Sequence, residues 1–393
     1  MPRIYADNAA TTKISQTAMK AMISAMENSY GNPSSIHQIG MAANDALQTA
    51  REQIARCLGC MPKEIFFTSG GTESDNQAIV SAAMLGAKQN KRHIISTAFE
   101  HHAVLHTVQA LEKEGFEATY LDVDSDGIIS LDELRAAIRE DTILITIMYA
   151  NNEIGSVQPI KEIGAIAREH KIPFHTDAVQ AAGHLKIDVR SENIDMLSLS
   201  AHKFGGPKGT GVLYVKRGVN PKNLILGGGQ ERGKRAGTEN IAGIIGTAEA
   251  LSLALSRIDE VTPRVTAMRD RLIDGVLENI PYTRLNGGRE HRLPGNVNIS
   301  VEYIEGESLI LLLDLNGICA SSGSACTTGS LDPSHVLLAL GLTHEVAHGS
   351  LRLTINDETT DEDIDYILEV LPQVVDRLRA MSPVWENRPD NKK

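Results

Sequence analysis

The stretch Ser198-Leu-Ser-Ala-His-Lys203-Phe-Gly-Gly-Pro-Lys-Gly-Thr-Gly-Val212 decides the fold. A short apolar run ends in hydroxyl side chains, a histidine and a lysine, and a glycine-rich turn leads into a second apolar run, Gly211 to Val215. This order is typical of a strand, a loop that a bulky ligand can approach, and a further strand. A lysine at the end of a buried strand loses its proton more easily than a solvated one, and it can then form a Schiff base. On this segment alone, an exposed turn lysine is an equally good interpretation.

Short apolar runs alternate with helical patterns on both sides of this stretch. Strands are predicted at Glu64–Thr68, His93–Thr97, Phe116–Leu121, Thr142–Met148, Pro173–Thr176, Met196–Leu199 and Gly211–Val215, and helices at Thr72–Ala87, His102–Glu114, Leu131–Arg139 and Ile160–His170. Such alternation is typical of an α/β fold with a mostly parallel sheet. After Leu255 the pattern changes to a long helix, predicted over Val265–Asn279, and then to strands with fewer helices. We predict a large domain over residues 15–258 and a smaller α+β domain from 1–14 and 259–393.

Composition excludes several classes of protein. The 393 residues carry 38 Lys and Arg against 50 Asp and Glu, a net charge of −12, whereas binding to the phosphates of nucleic acid needs basic clusters. No apolar run reaches the ~20 residues that span a bilayer, and the polar start with acidic Asp7 is unlike a signal peptide. Four cysteines are too few for a disulfide scaffold. We expect a cytoplasmic, reduced protein without nucleic-acid or membrane partners.

Two motifs match metal sites, and each has a plainer interpretation. Asp122 to Glu133 fits the calcium loop of an EF-hand at each required position, but Phe116–Leu121 is predicted as a strand, whereas an EF-hand needs an entering helix. A tight turn followed by a helix that Ser130 caps is favoured. His344–His348 matches the zinc-protease pattern HExxH, but it lies in a short segment between two glycines and is better interpreted as a short surface helix.

The four cysteines admit a metal site only as a minor alternative. Cys57 and Cys60 form a CxxC motif, and Cys319 with Cys326 could complete four ligands for an iron–sulfur cluster. The position of the first pair at a helix end favours thiols that pack as small apolar groups. A metal-binding or calcium-binding protein therefore stays an alternative that metal analysis of the purified protein would separate.

Polar residues follow other predicted strands and suit one cofactor. Pyridoxal phosphate needs an acid that faces its ring nitrogen, because a protonated pyridinium is the better electron sink. Asp177 follows Pro173–Thr176 and suits that task, and Gln180 could donate to the phenolic oxygen of the ring. His101 closes another strand, and its flat ring could stack on the cofactor, although a satisfied core or surface histidine is its default interpretation.

The same set contains a candidate phosphate site. Thr68–Ser74 runs from a strand through glycines into a helix N-terminus, where backbone N–H groups, a hydroxyl and the helix dipole attract an anion. Ser200 and His202 could reach the same phosphate. Each of these pieces is weak alone, but successive strand ends of one α/β sheet meet at a common crevice.

The chain resembles the fold-type-I pyridoxal-phosphate enzymes, and specifically the cysteine desulfurases of the nitrogen-fixation and iron–sulfur-cluster group. The matching stretches are Tyr5–Thr12, Gly31–Ser35, Phe67–Asp75, Asn151–Gly155, the Asp177 and Lys203 segments, Gly228–Glu239 and Ser321–Thr327. The last is the most specific, because transaminases of the same fold lack it. The resemblance implies a mostly parallel sheet flanked by helices, plus a smaller α+β domain that carries a catalytic-cysteine loop.

The resemblance also implies roles for individual residues. Lys203 resembles the Schiff-base lysine and His101 the catalytic base that stacks on the ring. The residues implied to bind pyridoxal 5'-phosphate are Gly71, Thr72, His101, Asn152, Asp177, Gln180, Ser200, His202, Lys203 and Thr238. Asn152 and Arg352 resemble the groups that hold the substrate carboxylate, for which the guanidinium fork of arginine is apt. Thr238 matches a residue that reaches the phosphate of the neighbouring subunit, which implies a homodimer.

Cys326 is implied to be the catalytic cysteine. It lies in a Ser/Gly/Ala/Thr run typical of a mobile, exposed loop, whereas Cys319 is predicted as the core cysteine. The implied reaction converts L-cysteine to L-alanine and leaves the sulfur on Cys326 as a persulfide, for delivery to an iron–sulfur scaffold or another sulfur acceptor. The loop is similar to that of the long-loop desulfurases, so activity on selenocysteine is disfavoured but open.

Two further points stay open. The chain ends soon after Trp385, which favours the nitrogen-fixation type over the housekeeping type and leaves the acceptor undecided. The main alternative activity is another pyridoxal-phosphate reaction on a small amino acid, for which Cys326 would be dispensable.

Overall fold

The strands of the protein form three sheets. The computed structural model describes residues 3–322, 333–386 and 388. Its strands are β1 (Ile4–Tyr5), β2 (Ile65–Thr68), β3 (His93–Thr97), β4 (Glu117–Leu121), β5 (Thr142–Thr146), β6 (Phe174–Asp177), β7 (Met196–Ser200), β8 (Gly211–Val215), β9 (Thr283–Leu285), β10 (Asn296–Val301), β11 (Ile318–Cys319) and β12 (Ser350–Thr354). The order of the main, seven-stranded sheet is β2-β8-β7-β6-β5-β3-β4. In that sheet β8 runs antiparallel to β2 and β7, and the other neighbouring strands pair in parallel, so the predicted α/β fold with a mostly parallel sheet is confirmed.

Helices cover both faces of this sheet and continue into the second half of the chain. They are α1 (Gln16–Asn28), α2 (Gln38–Leu58), α3 (Gly71–Ala87), α4 (His102–Lys113), α5 (Leu131–Ala137), α6 (Ile160–Glu169), α7 (Gln230–Gly233), α8 (Ile241–Asn279), α9 (Gly306–Leu315), α10 (His335–Ala339), α11 (His344–His348), α12 (Asp361–Ala380) and α13 (Pro383–Glu386). The parallel strands are buried along their whole length, except β4 at the edge, which explains their apolar composition.

Two hydrophobic clusters lie on the main sheet, one on each face. One joins the sheet to α2, α6 and the first half of α8, with Ile54, Ile163 and Leu251 among its members. The other joins it to α3 and α4 through residues such as Ile79 and Val108. The core of the main sheet is therefore a three-layer arrangement of helix, sheet and helix.

A separate cluster fills the space between the antiparallel sheet β12-β10-β9 and the helices α8, α9 and α12. It contains Leu272, Ile299 and Leu371, and also Ile4 and Ala6 from the start of the chain. β1 reaches this region because it pairs in parallel with β11. These contacts support the division that we propose, with residues 15–258 in a large domain and 1–14 with 259–393 in a smaller one.

The main error of the sequence-based prediction concerns α8. The helix begins at Ile241 rather than at Val265, and it continues through Pro263 to Asn279. It contributes to the cores on both sides of the proposed boundary. The change of sequence pattern near Leu255 therefore lies within one long helix. It marks the point where α8 stops packing against the core of the main sheet and begins to pack against the core of the smaller sheet.

By length and composition alone, α8 could cross a membrane. It contains an 18-residue stretch with a mean hydropathy of 1.4, and half of that stretch is buried inside the protein. Charged residues within the helix, such as Glu249 and Arg257, interrupt its apolar pattern. Core helices of soluble proteins share this composition, so the observation is weak, and the expectation of no membrane partner stays a prediction.

The local structures at the two metal-like motifs are those predicted. β4 precedes the Asp122–Glu133 segment, in which the Asp124 carboxylate accepts the N–H groups of Asp126 and Ile128, both at 2.9 Å. The Ser130 hydroxyl caps α5 by accepting the N–H of Glu133 at 3.3 Å. The HExxH motif forms the five-residue helix α11. Among the described residues, no group of three or more His, Cys, Asp or Glu side chains is placed to hold a metal ion.

The predicted location of Cys319 in the core is wrong. Ile318 is fully buried, whereas the next residue, Cys319, is half-buried and its sulfur lies 3.9 Å from the Asp314 carboxylate. Successive side chains of a strand point to opposite faces. Because Ile318 occupies the inward position of β11, Cys319 points the other way.

Leu272 of α8 gives a test of the second core. It is fully buried among the apolar side chains of that cluster, so Leu272→Ala should lower the free energy of unfolding by about 2–5 kcal/mol through lost burial and the cavity left behind. The control is Leu311→Ala on α9, where the leucine is 67% exposed and the change should stay within about 0.5 kcal/mol. Urea denaturation followed by circular dichroism measures both, and equal effects would contradict this assignment of the core.

Candidate active site

The carboxyl ends of the parallel strands meet at one cavity of about 370 Å³. β6 ends at Asp177, β7 ends at Ser200, and β3 leads through Glu100 to His101 at the start of α4. Ten residues that were singled out from the sequence line this cavity: Gly71, Thr72, His101, Asn152, Asp177, Gln180, Ser200, His202, Lys203 and Arg352. A second cavity of about 400 Å³ lies on the other side of Lys203, but it contains none of the other nine.

Lys203 lies at the end of a 3-10 turn, Ala201–Lys203, that follows β7 directly. Its Nζ donates hydrogen bonds to the backbone oxygens of Ala9 at 2.5 Å and Ala10 at 2.9 Å. The backbone oxygen of Lys203 accepts a hydrogen bond from the His184 ring at 3.1 Å. The lysine is therefore held at both its backbone and its amine, and the amine lies at the wall of the cavity.

Asp177 is 5% exposed and lines the same cavity. Burial raises the pKa of its carboxyl to about 6, although the N–H of Val179, which Oδ1 accepts at 2.9 Å, and the positive charge of Lys203 both lower it. Gln180 follows on the same turn, and its side-chain amide donates to the oxygen of Ala9 at 2.9 Å. An acid and an amide thus reach the cavity from one short segment.

His101 is neutral at physiological pH. Burial, then the charge of Lys203, then the neighbouring histidines His102, His335 and His106 lower its pKa to about 4. Its Nδ1 accepts the N–H of Ala103 at 3.1 Å, which caps α4. In the neutral ring the proton therefore resides on Nε2, which leaves an N–H donor on the other side of the ring.

The start of α3 is open to an anion. Gly70 provides no side-chain cap, so the first N–H groups of the helix are not satisfied by a side chain there. A Cβ atom added to Gly71 would lie 2.6 Å from Cγ2 of Val179, so a larger residue would fill this space. Ser200 is 4% exposed beside these glycines, and His202 is held by its ring contact with Thr11 at 3.1 Å. These residues fit the phosphate group of the cofactor that the sequence predicts.

Arg352 is almost fully buried, with one side of its guanidinium unused. Its Nη1 donates to the backbone oxygen of Asn152 and its Nη2 to the Asp7 carboxylate, both at 3.0 Å. The Nε atom is buried, and among the described residues it has no hydrogen-bond partner. Arg352 also lines the cavity, and a guanidinium at a cavity wall fits a carboxylate ligand.

Of the predicted site residues that the structure describes, Thr238 does not line this cavity. Thr238 lines a separate, smaller space with Phe67, Arg235 and others. The loop that carries Thr238 contacts the helix that borders the cavity. Arg235 of this loop forms an ion pair of 3.0 Å with Glu73 in the first turn of α3. Cys326 lies outside the described residues.

Sequence reasoning missed several buried groups that line or adjoin the cavity. Asp75, Glu153 and His335 line it, and Glu100 lies directly before His101. Burial raises the pKa of Glu153 to about 7 and that of Glu100 to about 8. The sequence could have indicated Asp75, Glu100 and Glu153, because each lies inside or next to a stretch already singled out. A carboxyl is usually interpreted as solvated, however, unless its burial is known.

The fold and this set of strand-end residues define an α/β enzyme of the aminotransferase kind. A family model described as "Aminotransferase class-V" matches residues 4–367. Members of this family are pyridoxal-phosphate-dependent enzymes. Among solved structures, one titled "NIFS-LIKE PROTEIN" superposes with a TM-score of 0.90 at 38% identity, covering 96% of this chain and all of the other.

Two similar curated proteins indicate the branch of this family to which the chain belongs. "Cysteine desulfurase IscS" of Clostridium botulinum (strain Hall) is 52% identical over 392 residues, covering 99% of this chain and 98% of the relative. "Cysteine desulfurase IscS" of Methanosarcina thermophila is 56% identical over 381 residues, covering 97% and 94%. The chain belongs to the class-V aminotransferase family and, within it, to the cysteine desulfurases.

The loop that carries Thr238 generates a prediction. Glu231 has a left-handed backbone conformation (φ 46°) and forms a buried ion pair with Arg51 at 2.6 Å, and its carboxylate also accepts the N–H of Phe67 at 2.9 Å. Glu231→Gln should destabilise the protein by about 3–5 kcal/mol, because it leaves the buried charge of Arg51 without its counter-charge.

The matched control is Glu169→Gln. Glu169 pairs with Arg135 at 3.2 Å on the surface, where both side chains are at least half exposed. The loss there should be below about 1 kcal/mol. Guanidinium denaturation compares the two variants, and a surface variant as damaging as the buried one would refute the argument.

Proposed function

We propose that this cysteine desulfurase holds pyridoxal 5'-phosphate at the strand-end cavity and transfers the sulfur of L-cysteine to Cys326. The observation that supports this most directly is that Lys203, Asp177 and Arg352 line a single cavity. A covalent anchor for the cofactor, an acid for its ring nitrogen and a cation for the substrate carboxylate are the three parts that such chemistry needs.

In this proposal, the cofactor is held by residues from several strand ends. Gly71, Thr72, Ser200 and His202 bind the phosphate, and the open N-terminus of α3 supports that assignment. Asp177 would pair with the ring nitrogen, and its burial favours one strong contact without water. Gln180 would hold the phenolic oxygen, His101 would stack on the ring, and Asn152 would also contact the cofactor.

The substrate carboxylate binds between Arg352 and Asn152. The position of Arg352 in the cavity wall supports this role, because a guanidinium pairs strongly with a carboxylate. Asp7 and the Asn152 backbone hold the two terminal nitrogens and fix the plane of the guanidinium. The cavity thus selects an amino acid through its carboxylate.

Proton transfer is assigned to Lys203. Pyridoxal phosphate, when bound, supplies the electron sink that makes the substrate Cα proton acidic. Lys203 would anchor the cofactor covalently, and its amine, once free, would take that proton and return it during product formation. His101 assists as a neutral ring, as its pKa of about 4 implies, and its Nε2–H can donate a hydrogen bond.

Sulfur transfer is assigned to Cys326. The thiolate attacks the substrate sulfur, so that an S–S bond forms while the Cβ–S bond breaks and its electron pair stays with carbon, which takes up protons to give L-alanine. Cysteine and an enzyme thiol thus become alanine and an enzyme persulfide, without any other oxidant. The described residues that flank this segment lie beside the cavity, since Ser321 pairs with the Arg352 backbone and His335 lines the cavity wall.

The other three cysteines are poor nucleophiles. Burial raises the pKa of the Cys60 thiol to about 12, and it also raises the pKa values of the Cys57 and Cys319 thiols. Only a thiolate attacks sulfur at a useful rate. This favours Cys326 as the acceptor, and Cys57 and Cys60 pack instead against the main hydrophobic core.

Partners and location complete the proposal. Thr238 reaches the phosphate of a neighbouring subunit in a homodimer, and the exposed apolar residues Leu224, Ile225 and Leu226 on the approach to its loop support a protein interface there. The persulfide passes to a sulfur-acceptor protein such as an iron–sulfur scaffold. The acidic composition with few cysteines supports a cytoplasmic protein without a nucleic-acid partner.

Cys326→Ala tests the sulfur step. Purified protein incubated with L-cysteine and a thiol reductant should release sulfide, and this variant should lower the rate at least ~100-fold because nothing else accepts the sulfur. Its cofactor absorbance should be unchanged. Cys319→Ala is the control and should keep the rate within about twofold.

The outcomes separate the alternatives. Full activity in Cys326→Ala would point to another reaction on a small amino acid. Loss of cofactor absorbance as well would mean that the variant is misfolded or that the residue is wrongly assigned.

Lys203→Ala tests the covalent anchor. Borohydride reduction of the wild-type protein should leave the cofactor attached to the peptide that contains Lys203, as peptide mass spectrometry detects, and activity of the variant should fall at least ~1,000-fold. Lys13→Ala is the control, because Lys13 is an exposed lysine near the same segment that pairs with Glu358. Attachment to another lysine in the wild-type protein would refute the role.

A further inference from the structure

Asp75 is a buried carboxyl that the proposed mechanism does not use. It lies in α3, one turn after the glycine at which the helix begins, is 1% exposed, and lines the active-site cavity. A carboxyl at such a position is either a paired charge or a neutral acid, because an unpaired buried charge is strongly unfavourable.

No cation is available to pair with Asp75 among the described residues that contact it. Its nearest basic group is His175, whose Nε2 lies 3.6 Å from Oδ1. Both nitrogens of that ring already contact hydroxyls, Nδ1 with Thr146 at 2.8 Å and Nε2 with Ser198 at 3.0 Å. Burial lowers the pKa of His175 to about 3, so the ring is neutral. The Oδ1 atom of Asp75 has no hydrogen-bond partner in the described structure.

The other charged groups around Asp75 are acids. Asp177 from β6 and Glu100 from the end of β3 both raise its pKa, in addition to burial, and only the Ser198 hydroxyl of β7 acts in the opposite direction. When buried carboxyls share a site, one of them retains a proton. Glu100 is itself favoured in the neutral form, with Oε1 accepting from Thr97 and Met148 and Oε2 unpartnered within the described residues.

The asymmetry between Asp75 and Asp177 decides which one carries the charge. Asp177 accepts the N–H of Val179 at 2.9 Å and is stabilised as an anion by Lys203. Asp75 has neither contact. We propose that Asp75 is a positioning residue that holds a proton behind the ring-nitrogen site, so that Asp177 alone presents a negative charge to the cofactor. We infer this within the proposed function, in which Asp177 is the partner of the ring nitrogen.

The consequence is a match of charges. A single carboxylate beside a protonated ring nitrogen forms a neutral pair, whereas a second buried carboxylate would leave an excess negative charge in a water-poor site. Asp75 therefore acts through Asp177 and is not assigned any contact with the substrate. Its hydroxyl proton also explains why no basic side chain from the described residues is required next to it.

Asp75→Asn is the decisive variant because an amide mimics the neutral acid. The folded protein keeps a proton that the unfolded chain releases above a pH of about 4, so the contribution of Asp75 to stability falls as the pH rises. The unfolding equilibrium constant of the wild-type apoprotein, divided by that of Asp75→Asn, should thus rise by up to about tenfold per pH unit between about pH 5 and 7. Urea denaturation at each pH gives this ratio, and an Asp75 that is charged in the folded protein would leave it constant.

Cofactor affinity gives a second readout. The dissociation constant of pyridoxal phosphate, measured by equilibrium dialysis against the apoproteins at neutral pH, should change less than about threefold in Asp75→Asn and should increase at least about tenfold in Asp177→Asn. Equal weakening in both variants, or a pH-independent stability ratio, would overturn the proposal. If Asp75→Asn does not fold, Asp75→Ser supplies the same comparison with another neutral side chain.

The experiments distinguish a failure of the proposed function from a failure of the proposal about Asp75. If the wild-type apoprotein does not bind pyridoxal phosphate, the proposed function is wrong, and the unfolding ratio still decides whether Asp75 holds a proton. If the wild type binds the cofactor and the ratio is flat, the proposed function stands and Asp75 is charged.

Discussion

The segment of residues 7–12 is the constraint on which the active site depends. It connects the cavity wall formed by the main sheet to the wall formed by the sheet β12-β10-β9. Asp7 pairs with Arg352 at 3.0 Å, and the Asn8 amide donates to the backbone of β12 at 2.7 Å. The oxygens of Ala9 and Ala10 accept from Lys203, and Thr12 donates twice to the His202 backbone oxygen, at 2.8 and 2.9 Å. The separation between the lysine on the main sheet and the arginine on the small sheet is therefore set by this short stretch of backbone.

Burial determines which side chains around the cavity carry a charge. It raises the pKa values of the carboxyls Asp177, Glu153 and Glu100 to about 6, 7 and 8, and it lowers those of the histidines His101 and His202 to about 4. Both effects favour neutral side chains, since desolvation disfavours whichever form is charged. The charges that persist are those with specific partners, such as Arg352 with Asp7. A ligand that carries a phosphate, a positively charged ring and a carboxylate would therefore interact with a few charged side chains at fixed positions.

Local sequence patterns predicted the main sheet well, because each buried parallel strand is a short apolar run bounded by turns. His93–Thr97 and Gly211–Val215 have the predicted bounds, and most other strands differ by one or two residues at their ends. The long helix α8 was predicted only in its second half, because its first half faces the main core and its second half faces the small one. A helix whose apolar stripe changes partner has no single periodic pattern over its length, and Pro263 adds a further apparent boundary.

The residues of the cavity could be predicted individually, but the contacts that tune them could not. Strand ends of a parallel sheet converge by topology, so Asp177, Lys203 and His101 follow from the order of strands. The pairing of Asp7 with Arg352 joins residues 345 positions apart, and no local pattern contains that information. The neutrality of His175 likewise depends on burial in the assembled core. Sequence therefore identifies which chemical groups are present, whereas the protonation state of each group is a property of the assembled core.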